Sequence, residues 1–238
     1  MILGALIDLG ANIDKISSAI KTLENPDYGY GKIAIKIQKV TRCEFKATNI
    51  DVTSKTADKR QGNEIINIVE DAAKKNNLSS KANQFVSKTI RTIVNTENHL
   101  HEAPSYDGML DEVAMVDTAA EIIGSAVALD DLGLFDAKIY ATPIAVGGGP
   151  LKISHGIVSS PAPATLAILQ SRNYPFFGGP IEAELATPTG AAMLVNLVDE
   201  VNRFYPPIIP LKVGYGAGTK DFQELPAVLR FTLGSSLE

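Results

Sequence analysis

Between residues 32 and 95 the apolar period of the chain switches from two to about 3.6, and this switch limits the fold more than any other feature. Lys32 to Val40 alternates, with Ile33, Ile35 and Ile37 on one side and Lys32, Lys36 and Gln38 largely on the other, which predicts a half-buried strand. Phe45 to Val52 reads as a second strand, joined to the first as a hairpin around Thr41 to Glu44. Helical spacing then takes over in Glu64 to Lys75 and Lys81 to Asn95, with Leu78-Ser79-Ser80 as turn and N-cap. Strands and helices alternating in one chain predict an α/β or α+β fold, with mixed sheets and packed helices. At 238 residues and 45% hydrophobic content the chain can bury one sizeable core or two closely packed lobes.

The flanks follow the same logic. Met1 to Ile7 is apolar, but no basic segment precedes it and no small-residue cleavage site follows, so it reads as a helix rather than a signal peptide. Nothing in front of that helix caps its N–H groups, and an upstream element is therefore expected. Asn12 to Leu23 continues with helical spacing as far as the turn cluster Asn25-Pro26-Asp27, and Thr53 to Gly62 reads as a polar loop. A long acidic helix is expected over 110–132, its core stripe formed by Val113, Val116, Ala120, Ile123 and Val127 and its end marked by Gly133. Lys138 to Val146 reads as a buried strand, Ala164 to Gln170 and Ala191 to Arg203 as helices, and Val228 to Leu233 as a last strand. Residues 1–100 are expected to form an N-terminal α/β lobe, truncated at its start, and residues 101–234 a core lobe.

Composition narrows the function classes. The formal net charge of -5, an aromatic content of 6% and the absence of Trp do not suggest a nucleic-acid surface. No apolar run approaches the roughly 20 residues that span a bilayer. A single cysteine, Cys43, cannot form an internal disulfide, which points to a reducing cytoplasm. A homo-oligomer stays open.

Charge is unevenly placed. Thr92 to Ala137 holds no Lys or Arg, but it carries Glu97, Glu102, Asp107, Asp111, Glu112, Asp117, Glu121, Asp130, Asp131 and Asp136, with His99 and His101. Such a stretch gathers cations through its field; the plain alternative is a solvated acidic face. His99 and His101 can meet one metal only from a strand or turn, since on a helix they diverge by roughly 200°. Asp117 and Glu121 stand one helical turn apart and could clamp a cation or accept a proton. Gly147-Gly148-Gly149-Pro150 could cradle an anion or simply form a tight turn. His155, flanked by Gly156, suits a metal ligand, a general base or a substrate hydrogen-bonder. Thr187 and Pro188 are N-cap and N1 residues for a helix whose N-terminus could take a phosphate or thiocarboxylate, with Thr189 and Gly190 in its first turn. Gly214-Tyr215-Gly216-Ala217-Gly218-Thr219 reads as a glycine-dense loop.

Taken in order, several of these segments resemble the nickel-pincer cofactor nickel insertase family (LarC). They are His155-Gly156 with Pro161-Ala162-Pro163-Ala164-Thr165, Glu184 with Thr187-Pro188-Thr189-Gly190-Ala191-Ala192, and Gly214 to Thr219 with Asp221. Leu3 to Gly10 is similar to the family's start, and Val116-Asp117-Thr118 to Gly124 matches its long helix. The resemblance is dense over 110–233 and sparse from about 20 to 100. It implies a metal chelatase of the lyase class, inserting nickel into pyridinium-3,5-bisthiocarboxylic acid mononucleotide and consuming CTP, to mature lactate racemase-type enzymes. It implies His155 or Glu112 as the base, His101, Asp111, Glu112 and Asp117 (with His99 from the residues alone) as metal candidates, and Gly147, Gly148, His155, Thr187, Thr189, Gly190, Gly214 and Gly216 as precursor contacts. Three departures stand out. The family's His-x-His-Glu is here Met109-Leu110-Asp111-Glu112, and His101 corresponds to a different family histidine. The family's acidic, Gly-Ser-rich opening does not appear, Met1 falling where an internal Met sits. Its C-terminal nucleotide-binding domain has no counterpart in these residues, so the CTP site is expected on a partner that carries it.

Overall fold

A computed structural model describes residues 1–55, 60–101, 109–110, 115–153 and 156–237. In chain order the elements are helices α1 (Ile2–Leu9) and α2 (Ile13–Lys21), strands β1 (Ile33–Arg42), β2 (Phe45–Ser54) and β3 (Arg60–Gln61), then helices α3 (Gly62–Lys75) and α4 (Ser80–Leu100). Strand β4 (Met109–Leu110) precedes α5 (Val116–Asp131), and four short strands follow: β5 (Tyr140–Ala141), β6 (Ile144–Ala145), β7 (Pro150–Ile153) and β8 (Gly156–Ser159). The chain continues through α6 (Pro163–Ser171), β9 (Phe176–Phe177), α7 (Pro188–Leu197), β10 (Glu200–Val201), β11 (Ile208–Ala217) and β12 (Val228–Ser236). The class is α/β with mixed sheets, as expected.

The main sheet has the order β1-β2-β11-β12. Its hairpin is the one that the alternation predicts: β1 and β2 pair antiparallel from Ile33↔Ser54 to Arg42↔Phe45. The two connecting residues, Cys43 and Glu44, both take positive φ, as a tight hairpin turn with the right-handed twist of its strands requires. β2 meets β11 in parallel, with Gly216 opposite Thr48, and β11 pairs antiparallel with β12. The sheet therefore unites strands from both sides of the boundary expected at residue 100. One hydrophobic cluster likewise runs from Leu6, Ile16 and Ile20 through Ile65, Ile90 and Ile93 to Ile123, Ile168 and Met193.

Helix α1 lies on this sheet because glycines let it approach. A Cβ on Gly216 would stand 1.9 Å from the Met1 carbonyl oxygen, one on Gly214 2.3 Å from that of Ala5, and one on Gly4 2.3 Å from that of Thr48. Asp8 then ties the helix down: its carboxylate accepts from the Thr48 hydroxyl (2.8 Å), the Tyr215 N–H (2.8 Å) and Lys39.

Five expectations need correction. The long helix begins at Val116, not 110; Leu110 belongs to β4, paired with Arg60, while Val113 lies outside the described residues. Nor is α5 an acidic face, since it is buried on nearly every side from Val116 to Leu129. The single strand over 138–146 is two short ones, β5 and β6, separated by Thr142-Pro143, because proline has no N–H to give a ladder. Helix α7 stops at Leu197: the N–H groups of Asp199 and Glu200 go to the Ile139 carbonyl, and β10 pairs in parallel with β5. Finally, the glycine-dense stretch after Val213 is strand, not loop, as far as Ala217.

Much of the acidic segment serves as stitching between helices. Asp131 accepts from the Asn12 N–H at 2.9 Å and pairs with Lys15 at 2.6 Å; Asp130 accepts from the Ser79 N–H at 3.0 Å; Asp136 pairs with Lys81 at 2.7 Å. These contacts sit at the N-termini of α2 and α4, where the helix dipole favours negative charge.

Candidate metal and precursor site

A cavity of about 2170 Å³ opens where α4, α5, α7 and the sheet come together. Asp117, Thr118 and Glu121 of α5 line it, joined by Glu97 and His101 at the end of α4, Asp51 of β2, and Glu184, Thr187, Thr189 and Gly190 at the start of α7. The two helical N-termini are linked there: the hydroxyls of Thr118 and Thr189 stand 3.5 Å apart.

Asp117 occupies the first turn of α5, where Met115 as N-cap offers no side-chain acceptor, and its Oδ1 accepts the Thr118 N–H at 2.8 Å. Burial holds its carboxyl above the ordinary carboxylate range, and the negative charge of Asp51 adds to this against the lowering pull of the N–H. Its side chain opens onto the cavity, so water tempers the effect. Glu121, one turn on, is pushed up as well, by burial first, against the downward pull of the Met1 ammonium, with Asp117 adding to the rise. Like charges one helical turn apart raise one another's proton affinity, and they also make a favourable seat for a cation.

The two histidines part company. Helix α4 runs through Leu100 rather than stopping at Asn95, so His99 lies on its last turn, exposed and outside the cavity wall, while His101 is the C-cap within it. On a helix the pair cannot face one ion, and the strand-or-turn geometry that would have brought them together is not found. His101 instead places Nε2 3.4 Å from Oε2 of Glu97. Asp111, Glu112 and His155 lie outside the described residues. Among the described residues no three His, Cys, Asp or Glu side chains gather closely enough to hold a metal ion.

At the start of α7, Thr187 is the N-cap, its side chain accepting the Gly190 N–H at 3.2 Å. Pro188 at N1 carries no N–H, which leaves Thr189 as the first-turn donor with no partner inside the helix. Four glycine assignments are revised. Gly147 takes φ +85°, and a Cβ there would stand 1.7 Å from the Ala183 carbonyl oxygen; Gly148 gives its N–H to Ile181 at 3.1 Å. These two make a close backbone crossing outside the cavity wall, which is the tight-turn alternative rather than an anion cradle. Gly214 and Gly216 are taken up by the packing of α1. Glu97, Asp51, Thr118 and Glu184 line the cavity without having been named as site residues. Glu97 carried a signal in its i,i+4 spacing to His101, and Thr118 and Glu184 lay within the family-like motifs, whereas Asp51 carried none.

The family model for the nickel insertion protein matches residues 1–238. Among curated proteins, one from Methanosphaera stadtmanae named "Putative nickel insertion protein" is 38% identical over 232 residues, covering 96% of this chain and 56% of the relative. Proteins of the same name from Methanothermobacter thermautotrophicus and Rhodopirellula baltica are each 35% identical, covering 99% and 100% of this chain and 56% and 57% of their own length. The chain thus spans a little over half the length of these relatives. No solved structure matches it significantly.

Proposed function

The chain belongs to the nickel insertion protein family, and on that premise we propose that it holds Ni²⁺ and an organic precursor together for insertion. The precursor is taken to be pyridinium-3,5-bisthiocarboxylic acid mononucleotide and the product the pincer cofactor of lactate racemase-type enzymes. The observation that carries this reading is one cavity lined both by Asp117, Glu121 and His101 and by residues at the N-terminus of α7. Carboxylate and imidazole ligands suit Ni²⁺, and a helix N-terminus suits a phosphate or thiocarboxylate.

In this scheme Ni²⁺ enters as substrate and exchanges its carboxylate ligands for two thiocarboxylate sulfurs. The ring C–H bond then breaks, its electron pair forms the carbon–nickel bond, and the proton passes to a base. Asp117 and Glu121 suit that last role, because a raised pKa makes a carboxylate a stronger proton acceptor. His155 and Glu112 remain candidates from the sequence. CTP consumption is assigned to the length of the relatives beyond this match, and a cytoplasmic setting rests on the lone Cys43. Among the described residues no helix is long and apolar enough to cross a membrane.

A second reading is a precursor-binding or metal-binding module that needs a partner domain, favoured by the chain spanning a little over half of its relatives. Calorimetric titration with Ni²⁺, repeated on His101→Ala and His155→Ala, tests the metal role on which the first reading depends. Weaker binding in either variant supports metal handling by this chain; equal weak binding in all three removes it.

A further inference from the structure

Thr118 touches both halves of the cavity. Its backbone N–H donates to Oδ1 of Asp117 at 2.8 Å, and its hydroxyl lies 3.5 Å from that of Thr189. It is only 7% exposed, so its side chain is held by packing, with its N–H turned to Asp117 of its own helix and its hydroxyl to α7. Thr189, half-buried at the start of α7, has no helical partner for its own N–H and presents its side chain to the cavity.

We propose that Thr118 is a positioning residue: through its hydroxyl it sets the rotamer of Thr189, and so fixes the anion-binding start of α7 against the Asp117 carboxylate. This rests on the reading of the cavity as a joint metal and precursor site. A separation of 3.5 Å is the outer edge of a hydrogen bond, and either hydroxyl can be the donor. The two arms are chemically separable. Asp117 is held by a backbone N–H that any residue at position 118 retains, whereas Thr189 is held by a hydroxyl that only Thr or Ser supplies.

The test uses the full chain with Ni²⁺ alone and with nicotinate mononucleotide, a pyridinium mononucleotide carboxylate, as probes. Thr118→Val should weaken nucleotide binding about three- to tenfold, the range of one lost hydrogen bond, and leave the Ni²⁺ isotherm unchanged. Thr118→Ser should restore it. Thr189→Val should match Thr118→Val, with the double variant no worse than either single one. Additive losses, or equal losses for nickel and nucleotide together with a lowered melting temperature, would assign Thr118 to packing alone and overturn the proposal. If the wild-type chain binds neither probe, the joint-site reading falls, and the inference is judged by NMR of the Thr189 side chain. Rotamer averaging in Thr118→Val but not in Thr118→Ser supports it, and an unchanged single rotamer in both overturns it.

Discussion

Two carboxylates of this chain illustrate opposite uses of the same group. Asp8 is wedged between α1 and the sheet: burial raises its pKa, but Lys39, the Tyr215 N–H and the Thr48 hydroxyl together hold it below the ordinary carboxylate range. A depressed folded-state pKa contributes stability above the unfolded value and loses it as pH falls through the folded one. Asp8→Asn should therefore cost about 1–3 kcal/mol at pH 7 in urea unfolding, with the gap to wild type closing below about pH 4. Glu121 is the reverse. Burial raises it, so its charge destabilises the fold once pH exceeds the unfolded pKa. Glu121→Gln should raise the melting temperature at pH 7, by an amount that shrinks toward pH 4, while weakening Ni²⁺ binding. A variant that loses both stability and binding would make Glu121 a structural residue instead.

Among elements, the contact of α1 with β11 and β2 depends most on single atoms. Gly216→Ala places a methyl 1.9 Å from a backbone oxygen that cannot swing away, and we expect a loss of at least about 1–3 kcal/mol. Gly148→Ala is the contrasting case: the nearest atom is 3.8 Å away and no positive φ is required there, so stability should hold within about 0.5 kcal/mol. If Gly148 cradled an anion, the added methyl would instead reduce nicotinate mononucleotide affinity, a difference calorimetry can read. The stitches of Asp130, Asp131 and Asp136 to the starts of α2 and α4 show why a base-free stretch need not be a cation trap. Its charges answer helix termini and lysines far away in sequence.

For the whole molecule, ligand linkage gives the clearest measurement. At a ligand concentration about 100 times Kd the folded state gains roughly 2.7 kcal/mol, which thermal unfolding detects. With a pyridinium mononucleotide present, added Ni²⁺ should raise the melting temperature beyond the sum of the two separate shifts, if both occupy one cavity. Strictly additive shifts would place them at separate sites.

What residue order alone determined is local. The β1–β2 alternation and its hairpin, the caps around Ser79 and at Thr187, and the helical spacing of α3 and α4 depend on neighbours within a few positions, so period and propensity carry them; that the turn narrows to Cys43 and Glu44 came from the structure. The one-turn spacing of Asp117 and Glu121 is of the same kind. Tertiary structure decided the rest, because the deciding partner is remote in sequence. Ile139 and Asp199 pair, ending α7 early; Ala5 and Leu9 press on Gly214, making it strand rather than loop; and Thr118 meets Thr189 across 71 positions. Two helix starts can be read from composition, but only a folded core brings them to the same cavity, since packing rather than propensity sets the distance between elements.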